Sequence, residues 1–333
     1  MSRIFRSDEI APGDRVVVRR LLPDTPGHLS DVIGHVLSTD PLVLRPQSVG
    51  GFTSDAPAIE IPGELVKIVK KLSPRRIRNS DIRAIEVATA KAFPGIDHSW
   101  SQSGQWLLRA GDGVTERSNS AAPLGPAAGF DAVPMAEIQD FYARHRLPVR
   151  LLLPERIGNP ALKLISADGW ELGQEIVVMQ RDLALPPEIP GAGELVFRID
   201  EQPDENWLDL YHFRGQPLPR RALELLRTRI DGKMGFGRLQ TPDGETVAIT
   251  RGTLTGTGDG RVFLGYSAVE VAPAWRRRGL GTRLGAEMLR WGADNGADEA
   301  YLQVIASNTA GIGLYGKLGF GEHHRHRYAT YQA

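Results

Sequence analysis

The chain has 333 residues, 41% hydrophobic and 24% charged, with 40 basic side chains against 40 acidic ones. That length accommodates two or three domains with ample core material, and zero net charge gives no support for bulk binding to nucleic acid or an anionic membrane. The absence of cysteine excludes disulfides, thiolate metal sites and a cysteine nucleophile. No signal-like apolar core opens the sequence, and no run approaches the roughly 18 apolar residues of a membrane helix, so a cytoplasmic protein is expected.

In chain order, the first segment is rich in strands. Short β-branched runs at 14–20, 31–37, 41–45 and 58–61 are separated by Pro, Gly and Asp, and 64–72 reads as a turn plus a last strand. A small closed β-barrel over 1–74 is expected, because closure removes exposed edges. The basic stretch SPRRIRNS (73–80) carries no interleaved aromatics and reads as a solvated linker rather than a nucleic-acid patch. From Ser80 the period changes: Ile82, Ile85, Ala88 and Ala92 recur at helical spacing behind a serine cap. Residues 106–120 read as a hairpin across Gly111–Gly113, followed by a helix (135–145), a strand (149–153), a short helix (161–170) and a strand (174–180). LPPEIPGAG (185–193) marks a second boundary, so one unit is expected over 80–190 and another over 194–333. In the latter, a helix (219–230) precedes three strands (233–240, 245–254, 261–271), a long helix, a strand (301–306), a short helix and a final strand. Residues 161–180 and 311–330 share a short helix, a Leu, a Gly-aromatic pair and a strand, which points to two tandem copies of one unit in a mixed α/β (α+β) chain.

The richest chemistry lies at PAWRRRGLGTRL (273–284). A strand ends at Pro273, and a helix begins at the glycines with Leu280, Leu284, Met288 and Trp291 on one face. The first amides of a helix lack internal partners and the helix dipole adds positive potential, so a phosphate is at home there. Glycines without Cβ let it approach the backbone. The spacing fits neither the dinucleotide fingerprint nor the Walker loop. Val271-Ala-Pro273-Ala-Trp-Arg276-x-x-Gly279-x-Gly281 resembles instead the acetyl-CoA pyrophosphate loop of the GNAT N-acetyltransferases. NTAGIGLYGKLGF (308–320) resembles their second motif, with Gly311 where alanine is usual. Tight resemblance covers about 251–328. The whole layout is similar to actinobacterial tandem GNAT proteins with an N-terminal SH3-like barrel, some assigned as N-acetylglutamate synthases; mycothiol synthase shows the same tandem logic.

The resemblance implies acetyl-CoA as co-substrate, with the amides of Arg277, Arg278, Gly279, Leu280, Gly281 and Thr282 holding its diphosphate. Arg276, Arg277 and Arg278 would add charge. Main-chain groups of Val269 and Val271 would pair with the pantetheine arm, and Asn308 would contact the arm or cap its own helix, or both. Tyr315 matches the usual general acid and is expected to donate its proton to the departing thiolate. Strand alternation sends Glu270 to the face opposite Val269 and Val271, where a carboxylate needs a reason: a base acting directly or through water, or a salt bridge. The first unit lacks the glycine loop and carries Ile165 where the second has Tyr315, so it is expected to bind no CoA and to shape the acceptor site.

If the acceptor amine is glutamate, Arg117, Arg238 and Arg251 are candidate partners for its carboxylates. In EHHRHR (322–327), His324 and His326 share a strand face and His323 opposes them, so three histidines do not converge and no metal is expected. Two other functions remain open. One is a protein lysine acetyltransferase with the barrel as docking module; the other is a CoA-sensing or scaffold protein without activity, against which the loop, Asn308 and Tyr315 argue.

Overall fold

The structure is a computed structural model that describes the chain apart from residues 1–6, 23–24, 26, 48–50, 52, 73–76, 192–193, 214–215, 218 and 333. Part of the expected linker therefore lies outside the described residues. Two compact units result, Met1–Ile77 and Arg78–Ala333.

The first unit holds β1 (Arg15–Leu21), β2 (Leu29–Thr39), β3 (Leu42–Pro46), β4 (Ile59–Ile61) and, after a short 3-10 turn, β5 (Val66–Lys71). They pair antiparallel in the order β4-β3-β2-β1-β5. Its core is aliphatic: Val16, Val18, Val32, Val36, Leu44, Ile61 and Val69. Alternation along β1 and β2 gives one buried face, as a half-buried strand requires.

The second unit begins with α1 (Asn79–Ala92), β6 (Asp97–Trp100), β7 (Leu107–Ala110), α2 (Met135–His145), β8 (Arg150–Pro154), α3 (Asn159–Ile165), β9 (Trp170–Leu172) and β10 (Ile176–Asp182). It continues with β11 (Val196–Asp200), α4 (Glu205–Leu210), β12 (His212–Phe213), β13 (Gln216–Pro217), α5 (Arg220–Arg229), β14 (Lys233–Gln240), β15 (Thr246–Gly256) and β16 (Val262–Val271). After these come α6 (Leu280–Asp294), β17 (Glu299–Ile305), α7 (Thr309–Lys317) and β18 (Gly321–Tyr331).

The two stretches expected as tandem units share one nine-stranded sheet, ordered β11-β14-β15-β16-β17-β10-β18-β8 with β9 beside β18. β10 follows α3 but pairs along its whole length with β17, while β18 follows α7 but pairs with β8. Each stretch thus gives its last strand to the other, and β10 and β18 meet antiparallel at the junction. The boundary expected at 185–193, of which 192–193 lie outside the described residues, falls between β10 and β11 of one sheet. No sequence period announces this exchange, because β10 and β18 bury both faces whichever neighbour they choose.

Helices cover the two faces. Leu264, Tyr266, Leu302 and Val304 pack with Met288 and Leu289 of α6. The alternate residues Phe263 and Tyr301 pack with Ala84, Ile85 and Ala88 of α1. Close approach of α6 relies on small residues: a Cβ on Gly292 would lie 2.7 Å from Leu264 Cδ2. In α1 the expected face is buried at Ile82, Ile85, Ala88 and Ala92, but the helix starts at Asn79 and Asp81 Oδ2 accepts from the Arg78 amide in place of a serine cap.

The hairpin expected across Gly111–Gly113 is reduced to a single antiparallel bridge between Leu107 and Ala122. β7 pairs upstream, with β6. The reason is Asn119: its Oδ1 accepts from the amides of Gly111 and Gly113, and its Nδ2 donates to the Thr115 carbonyl. These bonds satisfy the loop backbone internally and close residues 111–119 into a compact turn that carries Glu116 and Arg117.

Candidate active site

The site is built on a defect in the central sheet. β16 and β17 run parallel, and they are in register only at Phe263–Glu299, Leu264–Ala300 and Gly265–Tyr301. Beyond Gly265 the strands part, β16 following β15 and β17 following β10. The register of β15 and β16 shifts between Ile249–Glu270 and Arg251–Ser267, so β16 carries an extra residue, and Ala268 there has φ 57°. Left-handed backbone at a residue with a Cβ costs about 1–2 kcal/mol and persists only where surroundings enforce it. The bulge brings Ser267 and Ala268 to the α1 side, returns Val269 and Val271 to the α6 side, and leaves Glu270 facing the gap.

A cavity of about 330 Å³ fills this gap. Val269 and Glu270 line it from β16, Gln303 to Ile305 from β17, and Asn308 and Tyr315 from α7. The first stretch contributes Glu116, Arg117 and Ile176 to the same walls, which is how a unit without a glycine loop takes part in the site. Ile165, at the position matching Tyr315, lines a different cavity beside α3.

Tyr315 packs edge-on to Tyr266 and Phe320, with centroids 6.0 and 6.3 Å away. Burial, and secondarily the nearby Glu270 carboxylate, push its hydroxyl up to about 12, so it is protonated across the neutral range. Burial also raises Glu270 above the ordinary carboxylate range, opposed by the positive charges of His212 and Arg276. Among the described residues Glu270 forms no salt bridge.

His212 is the residue that sequence reasoning missed. It lines the cavity, and its Nδ1 lies 3.0 Å from the Leu210 carbonyl oxygen. That contact fixes Nδ1 as the donor and leaves Nε2 as the basic nitrogen when the ring is neutral. Its two-residue strand follows a short helix and carries no motif, so only the fold could reveal it.

Asn308 serves as helix cap as well as wall: its Oδ1 accepts from the Gly311 amide at 2.9 Å. This explains Gly311, since a Cβ there would lie 2.8 Å from Asn308 Nδ2. The glycine loop lies beside α7, with the Cβ position of Gly281 3.3 Å from Leu314. Gly279 has φ 74° and no atom within 4 Å of its Cβ position, and the N-terminus of α6 has no side-chain cap. Exposed first-turn amides beside open space fit a diphosphate. The arginines are partly committed elsewhere: Arg276 Nε donates to the Val271 carbonyl and Arg278 stacks on Trp275. Val271 lies outside the cavity walls, and its carbonyl accepts from that side chain.

The three candidate arginines part company. Arg238 is spent on Asp200 and Asp204, 2.6 Å from each, and does not reach the cavity, so its expected role as a carboxylate partner is corrected. Arg117 lines the cavity, and Arg251 lies fully buried behind it. In the C-terminal strand, His324 Nε2 and His326 Nδ1 converge on Glu86 Oε1 at 2.9 and 2.6 Å, all buried, while His323 Nδ1 lies 2.8 Å from His324 Nδ1. These three donors would suit a metal, but ligands around a tetrahedral ion stand about 3.3 Å apart, and the shorter spacing here is that of hydrogen bonds. The cluster is a buried carboxylate held ionised by imidazoles, its carboxyl well below the usual range.

The comparisons agree with this geometry. Residues 79–329 match the family described as "Probable histone acetyltransferase Rv0428c C-terminal". Residues 10–51 match "Rv0428c N-terminal Sm-like domain", so the small barrel carries that description and the SH3-like one finds no support. The probable histone acetyltransferase Rv0428c of Mycobacterium tuberculosis is 32% identical over 96% of both chains. An uncharacterized N-acetyltransferase of Bacillus subtilis, YobR, is 26% identical over 74% of this chain and 98% of its own. Among solved structures, a GCN5-related N-acetyltransferase from Kribbella flavida superimposes with a TM-score of 0.56 at 17% identity, covering 75% of this chain and 95% of its own. A tandem GNAT protein from the clavulanic acid biosynthesis pathway gives 0.52 at 15%, covering 74% and 86%. These two establish likeness of fold. The chain belongs to the Rv0428c family and is a GNAT N-acetyltransferase, with acetyl-CoA as its co-substrate.

Proposed function

We propose that the cavity between β16 and β17 transfers an acetyl group to the primary amine of a small acceptor, with Glu270 and Tyr315 as the groups that manage protons. The observation carrying this is that both side chains face one gap, beside the uncapped glycine start of α6. In the reaction the neutral amine nitrogen attacks the thioester carbon, the C–N bond forms, the C–S bond breaks, CoA leaves as thiolate, and the nitrogen sheds a second proton to solvent as the amide forms. Glu270, directly or through a water, takes the ammonium proton. A carboxylate raised by burial is a better base than an ordinary one. His212 lines the same cavity.

The role of Tyr315 differs from the expected full proton donation. With its hydroxyl near 12 and a thiol near 8.5, transfer to the thiolate is uphill by about 3.5 pKa units, or about 5 kcal/mol. Tyr315 keeps its proton and hydrogen-bonds the sulfur as charge develops, which is electrostatic stabilisation of the leaving group. The thiolate takes its final proton from solvent or from the protonated base.

Cavity size supports a small acceptor, since about 330 Å³ must hold the thioester end together with it and stands at the low end of small-molecule sites. Glutamate fits that description. The second reading, acetylation of a protein lysine with the barrel as docking module, is favoured by the name of the Mycobacterium tuberculosis relative. No helix among the described residues is long and apolar enough to cross a membrane, and a cytoplasmic setting belongs to this proposal. The test is thiol release from acetyl-CoA across amino acids, polyamines and peptides. Turnover with a small amine supports the first reading, and turnover confined to peptides replaces it with the second.

A further inference from the structure

Two guanidinium groups stand at or beside the cavity, Arg117 on its wall and Arg251 buried against Ser267. Arg251 is 1% exposed; its Nε donates to Ser267 Oγ at 3.2 Å, and its Nη1 is buried without a hydrogen-bond partner. Arg117, half-buried, stands over the Phe93 ring at 4.2 Å, and Arg251 stands over the same ring at 5.5 Å. Burial, and secondarily the Arg117 charge, disfavours the charged form of Arg251. Among the described residues neither forms a salt bridge. The surroundings do not balance them. Arg109, also buried, donates to the Phe93 carbonyl and to Ser120 Oγ. Glu86 is consumed by His324 and His326. The remaining nearby carboxylate, Glu116, lines the main cavity beside Arg117. Tyr211, Tyr301 and Tyr328 are neutral neighbours, the latter two with hydroxyls raised by burial.

A buried cation without a counter-ion is costly, and chains avoid it unless a ligand supplies the charge. We propose that Arg117 and Arg251 form an anion subsite that reads a carboxylate on the acceptor, making the substrate class an amine that also bears a free carboxylate. The subsite rests on the transferase reading above and deepens it. A recess of about 10 Å³ between Phe93, Arg117, Ser267 and Gln303 has room for one oxygen atom. An oxygen there lies against Arg117 and against Ser267, whose Oγ accepts from Arg251 Nε. The amine end then points up the main cavity toward Glu270 and Tyr315. Arg117 belongs to the turn closed by Asn119, so the stretch that lacks a glycine loop supplies acceptor selection to a reaction whose donor is held by the other. A basic protein tail, whose lysine carries no carboxylate and whose neighbours are cations, is disfavoured by this charge.

The experiment measures thiol release from acetyl-CoA with matched acceptors: free α-amino acids, their carboxamides, their decarboxylated amines, and a lysine-rich peptide with an amidated C-terminus. Calorimetric titration of acetyl-CoA runs in parallel. The expected result is kcat/KM for the acids at least roughly 100-fold above that for their carboxamides, because a site built to pair a group rejects the analogue lacking it. In Arg117→Gln, whose side chain is half-buried and outside the sheet, that ratio collapses to within about threefold; a merely structural role for Arg117 lowers both rates and leaves the ratio. Equal use of carboxamides or of the peptide by the native protein overturns the subsite while leaving the transferase reading intact. Failure of acetyl-CoA to bind sinks the transferase reading and the subsite with it.

Discussion

Replacing Tyr315 with phenylalanine isolates the electrostatic step. The substitution removes one oxygen and keeps the ring that packs on Tyr266 and Phe320, so the fold is retained. The magnitude follows from the state of the hydroxyl. Held near 12 by burial and by Glu270, it does not surrender its proton to a thiolate, and its contribution is that of one donor aimed at developing charge in a dry site. Loss of such a donor typically costs about 10²–10³ in kcat, or about 2.7–4 kcal/mol. Because the bond strengthens only as the C–S bond breaks, acetyl-CoA affinity changes little. Thiol release gives kcat and calorimetry gives Kd. The expected pattern is a loss of two to three decades in kcat with Kd within about threefold of native. Full activity in the variant refutes the role, and a parallel loss of affinity shows that the hydroxyl binds ground-state CoA instead.

Four further outcomes are expected. Glu270→Gln lowers kcat/KM by about 10²–10⁴ at neutral pH, and less at high pH where the amine is already neutral; equal loss at every pH argues against a base. The native pH profile rises through the elevated pKa of Glu270 and shows no alkaline fall from Tyr315 below about pH 11, since that hydroxyl titrates near 12; a fall near pH 9–10 assigned to Tyr315 contradicts its burial. Glu86→Ala, which strands His324 and His326, costs about 3–5 kcal/mol in urea denaturation at pH 7. The folded carboxyl lies below its unfolded value near 4.3, so its stabilisation is complete above that pH and fades as pH falls below about 4, and the gap between native and variant must close with acid. Gly311→Ala displaces the Asn308 amide and weakens acetyl-CoA binding, while helix propensity and the disturbed cap, each worth about 1 kcal/mol, nearly cancel in stability.

Local pattern was legible where one face of an element is buried. The period of Leu280, Leu284 and Met288 found α6, and alternation placed Glu270 opposite Val269 and Val271. Glycines at a strand-to-helix junction, with Asn308 and Tyr315 downstream, pointed to the proposed donor site. Partner choice was not legible. β10 is as apolar beside β17 as it would be beside a strand of its own repeat, so the exchange with β18 leaves no trace in its residues. The 111–119 turn misled because its two glycines resemble a hairpin tip, while the side chain that closes it sits at Asn119. Glu86 and His324 are 238 residues apart, and only folding joins them. His212 escaped for the same reason, as a single side chain on two residues of strand.

The central claim is that the parted strands and the glycine start of α6 hold acetyl-CoA for attack by an amine. Its most direct test is calorimetric titration of acetyl-CoA into the native protein and into Gly279→Val, where a branched side chain enters a left-handed position with open space around it. Saturable binding by the native protein, weakened at least about tenfold in the variant, is the predicted result, since a bulky residue there blocks close approach of a diphosphate. Absence of binding by the native protein, or equal binding by the two, contradicts it.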